Sequence, residues 1–117
     1  MTLTMQCGPL APAVPADGLR ITVEQREPGT ALVTVSGEVD FHSAAALLET
    51  LLAALLSYRT AVAVDLGQVT FCDCAGLNAL LAARAAADRA HRRMRVTTTS
   101  RRVDRLLHLT GTRRYLT

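Results

Sequence analysis

Residues 61–81 read AVAVDLGQVTFCDCAGLNALL, and the order of residue types within them decides the fold class. AVAVDL, residues 61–66, is short, continuous and apolar, as expected of a central strand buried on both faces of a sheet. GQVTFCD follows as a loop. Asp73 then stands where a carboxylate can accept from amides two or three residues on, which makes it the expected N-cap of a helix. Leu77, Leu80 and Leu81 give that helix an apolar stripe, with Arg84, Asp88, Arg89 and Arg92 pointing outward. A buried strand that passes through a capped turn into an amphipathic helix is half of a parallel strand–helix–strand unit.

The flanking segments fit around this unit. From Leu19, LRITVEQR alternates Leu19, Ile21 and Val23 with polar neighbours, the period-two mark of a half-buried strand. Glu27-Pro28-Gly29-Thr30 is a turn and ALVTVSG a partner strand, which together make a hairpin. Gly37-Glu38-Val39-Asp40 breaks that second strand. Ser43 is the expected N-cap of a helix through AAALLETLLAALLSY, whose leucines at 47, 48, 51, 52, 55 and 56 form one stripe that faces a sheet. Beyond the second helix, Met94–Thr98 reads as a strand. Ser100 caps a third helix, RRVDRLLHLT, which Gly111 ends, and RRYL reads as a last short strand.

The expected order is β-β-α-β-α-β-α-β, an α/β domain with a small mixed sheet and helices mainly on one face, joined by right-handed crossovers. Residues 1–17 contain three of the four prolines and little periodicity, so they read as a flexible tail ahead of one domain spanning residues 18–117.

Composition narrows the function classes. A chain of 117 residues suits a single domain able to fold without staples. With no Trp, two Phe and two Tyr, its core must be built mainly from Leu, Val and Ala. Cys7, Cys72 and Cys74 are too few and too oddly spaced for a disulfide framework and suit a reducing compartment. The N-terminus lacks a basic n-region and an unbroken apolar h-region, and no apolar run approaches the roughly 18–20 residues of a membrane span. The expected location is the cytoplasm, with no membrane partner.

All thirteen basic residues are Arg. Residues 1–83 carry a net charge of −5, from three Arg and eight acids, whereas residues 84–117 carry +8, from ten Arg and two acids. Such asymmetry marks either a composition bias or a surface for nucleic acid or an acidic partner.

The stretch FCDCAGL, residues 71–77, raises metal and thiol chemistry. A C-x-C pair brings two sulfurs without the usual zinc spacing, and His42, His91 and His108 sit in different elements, so no metal site and no cofactor are expected. A thiol at a helix start feels the positive end of the helix dipole, which favours thiolate. Against catalysis, no C-x₅-R spacing is present and the Asp73 charge opposes a thiolate next door. Enzymatic activity is not expected.

GEVDFHSA, then VDLGQVTFCDCAGLNALL about thirty residues later, then SRRVDRLLHLTG, resemble the STAS domain of bacterial anti-sigma factor antagonists. The resemblance covers Leu19 to about Leu116. It implies a non-enzymatic interaction module that binds an anti-sigma factor, one that doubles as a serine-protein kinase, and thereby frees a sigma factor for transcription. The family's usual core reads D-S-S-G-L, and its first serine receives the phosphate that releases the partner. Here Asp73, Gly76 and Leu77 match, whereas Cys74 replaces the first serine and Ala75 the second. Asp40 matches the acidic residue of the family's G-E-[LVI]-D motif, and His42 and Ser43 match the start of the following helix.

The resemblance therefore implies a partner surface comprising Asp40, Phe41, His42, Ser43, Thr70, Asp73, Cys74, Ala75, Gly76 and Leu77, with Phe41, Val69 and Phe71 as candidate anchors. Cys74 is a degenerate phosphosite: a thiol is not what a serine/threonine kinase uses, so the usual addition of about −1.5 to −2 charges is lost. Two further readings differ in class. In one, oxidation of Cys74 replaces phosphorylation as the switch. In the other, the Arg-rich second and third helices bind nucleic acid, although aromatic residues are scarce and no binding motif is present.

Overall fold

Alternation of apolar and polar residues from Leu19 produces a strand whose inward positions, Leu19 and Ile21, are buried while Arg20 and Thr22 are exposed. In the computed structural model, which describes residues 18–117, this strand is β1 (Leu19–Glu27). The expected tail at 1–17 and Cys7 lie outside the described residues. Pro28 and Gly29, with φ of +80° at the glycine, turn the chain into β2 (Thr30–Val39), which pairs antiparallel with β1. α1 (Ala44–Ser57), β3 (Ala61–Cys72), α2 (Cys74–Arg89), β4 (Met94–Thr99), α3 (Arg101–Thr110) and α4 (Arg113–Leu116) follow.

The sheet order is β1-β2-β3-β4, with β2–β3 and β3–β4 parallel. It is the mixed sheet expected from a hairpin followed by strand–helix crossovers. One sheet face carries Ile21, Val33, Val35, Val62, Val64, Leu66, Met94 and Val96, all buried. Leu47, Leu51, Ala54 and Leu55 of α1, Leu77, Leu80, Ala83 and Ala87 of α2, and Val103 and Leu107 of α3 close over them in one continuous core. The opposite face carries Thr22, Glu24, Thr34, Asp65 and Arg95, which are half-buried or exposed. Helices therefore cover chiefly one face. Alanines at 79, 83 and 87 let α2 lie close to its neighbours, which offsets the scarcity of large aromatic residues.

Three boundaries differ from the sequence reading. β2 is not broken at Gly37: it continues to Val39 because Gly37 adopts φ of +94°. A Cβ there would lie 1.8 Å from the Gly18 carbonyl oxygen, so only glycine fits. β3 does not end at Leu66 either. Residues 67–72 remain in the ladder with β2, from Ser36–Gln68 to Val39–Cys72, so the expected loop is mostly strand. The two register shifts in this pairing are bulges, and they scramble the inside–outside alternation that would have announced a strand. Finally, RRYL is the helical turn α4 and not a strand. Tyr115 packs on Arg84 with its ring 4.7 Å from the guanidinium carbon, and Leu116 is fully buried. Burial of one leucine and the ring contact hold this segment against α2, α3 and the edge strand β4, without its joining the sheet.

Candidate functional site

The C-terminal ends of β2 and β3 lie side by side, and the chain leaves each of them into a helix. On the β2 side, Asp40 organises the exit. Its Oδ1 accepts from the amides of His42 (2.9 Å) and Ser43 (3.1 Å), while its own amide donates to Ser43 Oγ (2.9 Å). This exchange between residues three apart is the geometry of a capping box. The carbonyl of Asp40 also accepts from Ser43 and Ala44. The cap therefore sits one turn earlier than expected. Ser43 occupies the position before α1 but caps nothing with its side chain. Its hydroxyl is buried and lies 3.1 Å from the Glu38 carbonyl oxygen, to which it donates. Desolvation raises the pKa of the Asp40 carboxyl, but hydrogen bonds from the Ser43 side chain and the His42 and Ser43 amides, with the nearby His42, together bring it below its ordinary value.

On the β3 side, Asp73 is the N-cap of α2, as the sequence predicts: Oδ1 accepts from the Gly76 amide at 3.0 Å. Its own amide donates to the Val39 carbonyl at 3.2 Å, which ties the α2 start to the end of β2. Gly76 makes that approach possible. A Cβ at this position would fall 2.7 Å from Val39 Cγ1, 2.8 Å from Cys72 Sγ and 3.0 Å from the Val39 carbonyl oxygen. The close neighbour that requires glycine is thus the chain's own β2.

The two thiols differ. Cys72 is half-buried, and its pKa is pushed up to about 11 by desolvation first, then by the charges of Asp73 and Cys74. Cys74, in the first turn of α2, is exposed.

The sequence-predicted residues divide by exposure. Phe41 is 78 % exposed and Phe71 41 %, while Val69 is part of the core and is removed as an anchor. Phe41 meets the exposed His42 edge-on, with ring centroids 5.6 Å apart. Thr70 is exposed in the bulge where Gly37–Val69 pairing gives way to Glu38–Phe71. Asp40, Asp73 and Ala75 are half-buried, whereas Ser43, Gly76 and Leu77 offer almost no surface and shape the patch from beneath. Pairing of Val39 with Cys72 brings the 38–43 and 70–77 segments together although residues 44–69 separate them.

Glu38, the glutamate of the G-E-V-D motif, is exposed and pairs with Phe71. The motif marks the residue, but the pairing register sets it beside Phe71. Among the described residues no three of His, Cys, Asp and Glu form a cluster able to hold a metal ion.

Known proteins share this fold. The family model described as "Mlab, STAS domain" matches residues 22–117. An anti-sigma factor antagonist from Mycobacterium paratuberculosis superposes with a TM-score of 0.76 at 29% identity, over 86% of this chain and 84% of that one. The anti-sigma factor antagonist SpoIIAA in its unphosphorylated form aligns with a TM-score of 0.70 at 16% identity, over 83% of this chain and 85% of that one. The phosphorylated form of the Bacillus cell fate determinant SpoIIAA gives 0.63, 16%, 78% and 83% in the same order. No curated protein sequence matches the chain. With the family model spanning nearly every described residue, and anti-sigma factor antagonists among its structural neighbours, the chain belongs to the STAS domain family.

Proposed function

We propose that this protein is an anti-sigma factor antagonist that docks its partner through the joined ends of β2 and β3 and the first turn of α2. The partner is an anti-sigma factor of the serine-kinase type, whose capture frees a sigma factor and so regulates transcription in the bacterial cytoplasm. Binding is the whole of the function, and no catalysis by this chain is required.

The observation that carries the reading is the patch around the α2 start, where Cys74 is exposed. Two capped helix entries present Phe41, Phe71, Thr70 and Cys74 around half-buried Asp40 and Asp73. Exposed aromatic anchors beside ordered polar groups are what a specific protein contact uses. Several of the neighbours are anti-sigma factor antagonists, and SpoIIAA is known in phosphorylated and unphosphorylated forms.

Cys74 stands where family members carry the phospho-acceptor serine. A thiol there, in place of the hydroxyl, leaves the docking surface permanently competent. Affinity capture followed by incubation with the captured kinase and ATP tests this. Binding unaffected by ATP is expected, and stoichiometric phosphate on this chain would overturn it. A Cys74→Ser variant is expected to accept phosphate and then bind at least about tenfold more weakly, through the added charge beside Asp73.

A second reading is favoured by the contrast between the two thiols. Because Cys72 is held protonated by burial, oxidation by hydrogen peroxide falls on exposed Cys74, giving a sulfenic acid and water. A second peroxide takes the sulfenic acid to a sulfinate with loss of a second water, and that charged adduct takes the place of the phosphate as the release signal. Intact-mass measurement after mild peroxide, mapped by peptide, tests it: an unmodified Cys74 sinks this version. The arginine-rich nucleic-acid reading has no comparable supporting geometry at this site.

A further inference from the structure

Ten of the thirteen arginines fall in residues 84–117 beside only two carboxylates, Asp88 and Asp104. Both carboxylates are taken: Arg84 lies 3.2 Å from Asp88 and Arg113 lies 2.9 Å from Asp104. Arg92 donates to the Leu55 carbonyl at the end of α1. Three of the others, Arg101, Arg102 and Arg105, are exposed in the first five residues of α3, and none forms an ion pair among the described residues.

Spacings of three and four residues place Arg105 beside both of the others on one flank of the helix. The flank lies at the helix end where unpaired backbone amides already carry partial positive charge, so its charges oppose helix formation there. Four residues beyond Arg105 the same stripe reaches Leu109, which is 70 % exposed. α3 also starts near the docking surface. The Ser100 amide donates to the Leu66 carbonyl at 3.1 Å, so α3 begins at the foot of the 67–72 strand extension that bears Thr70 and Phe71.

We propose that Arg101, Arg102, Arg105 and Leu109 form a second docking surface, for a partner protein segment that presents carboxylates next to an apolar side chain. Guanidinium groups hold carboxylates with two parallel hydrogen bonds, and the leucine supplies an apolar contact in register with them. A phosphate backbone suits this face less well. Leu109, which is exposed, offers it no polar contact. Acid-lined and arginine-lined parts on one protein also fix the orientation in which a partner approaches. The surface extends the antagonist reading and depends on it only for the partner's identity.

The test uses the full chain and two probes, a labelled glutamate-rich peptide carrying two leucines and a short duplex DNA, at ionic strengths of about 0.02 M and 0.15 M. Arg101→Glu/Arg102→Glu/Arg105→Glu is compared with Arg89→Glu/Arg93→Glu/Arg114→Glu, which changes net charge equally at other exposed positions. Circular dichroism confirms that both variants fold. The α3 variant is expected to lose at least about tenfold in peptide affinity and the control less than about threefold, with amide shifts on peptide addition confined to residues near 99–109. No peptide binding, equal loss in both variants, or tighter binding of the duplex than of the peptide would overturn the proposal. These outcomes leave the antagonist reading standing, since that reading is tested through Cys74 and the captured partner.

Discussion

Cys72 and Cys74 are two residues apart and have different chemistry because β3 ends between them. With the Cys72 thiol raised to about 11 and Cys74 exposed, alkylation near pH 8 followed by peptide mass mapping is expected to label Cys74 well before Cys72. The same shift has a stability consequence. A folded-state pKa above the usual thiol value means the native state holds its proton while the unfolded chain releases it. The contribution of Cys72 is therefore constant below about pH 9 and falls as pH rises toward 11; a Cys72→Ala variant is expected to lose that alkaline decline in urea titrations. Asp40 has the opposite sign. Its carboxyl lies below the ordinary value of 3.8, so its contribution is present above that pH and fades as pH falls through the folded-state value. Asp40→Asn is expected to flatten the acid limb of the stability curve, and an unchanged limb would show that the capping-box bonds contribute little.

At the scale of elements, the junction of β2, β3 and α2 depends on Gly76 and Asp73. Gly76→Ala must displace Val39 or Cys72, and the expected loss is roughly 1–3 kcal/mol in chemical denaturation. Asp73→Ala removes the bond to the Gly76 amide and is expected to cost about 0.5–2 kcal/mol. Both variants should also weaken partner capture, because each moves the α2 start relative to Phe41 and Phe71. The asparagine variant separates the two effects. Asp73→Asn keeps a cap of similar strength, so a binding loss without a stability loss would assign the carboxylate charge itself to the contact.

For the whole molecule, one core holds the three long helices to one sheet face, and α4 joins it through a single leucine. Leu116→Ala is expected to lower stability by about 2–5 kcal/mol and to do so cooperatively, as one unfolding transition seen by every probe. Leu109→Ala, removing an equally apolar but exposed side chain, is expected to change stability little. A separate early transition confined to the C-terminal residues in the Leu116 variant would show that α4 is an independent flap.

Much of this protein is written locally in its residues. Alternation from Leu19, the Pro28-Gly29 turn, the Asp73 cap and the Gly111 stop each depend on neighbours within about four residues, and each is legible without coordinates. The six-leucine stripe expected of α1 is narrower in the fold: Leu47, Leu51 and Leu55 are buried, whereas Leu52 and Leu56 are exposed. Three features are not local. The 67–72 extension exists because β2 runs alongside it, α4 exists because Leu116 finds a buried site, and the cap at Asp40 takes the place expected of Ser43 because the Ser43 hydroxyl turns inward to Glu38. Gly76 shows both kinds of information at once. Its presence signals a close approach, and only the packing of α2 onto Val39 reveals what approaches. Contacts such as the Val39–Cys72 pairing, between residues far apart in the chain, have no counterpart in local pattern, so tertiary structure alone assembles the surface proposed for docking.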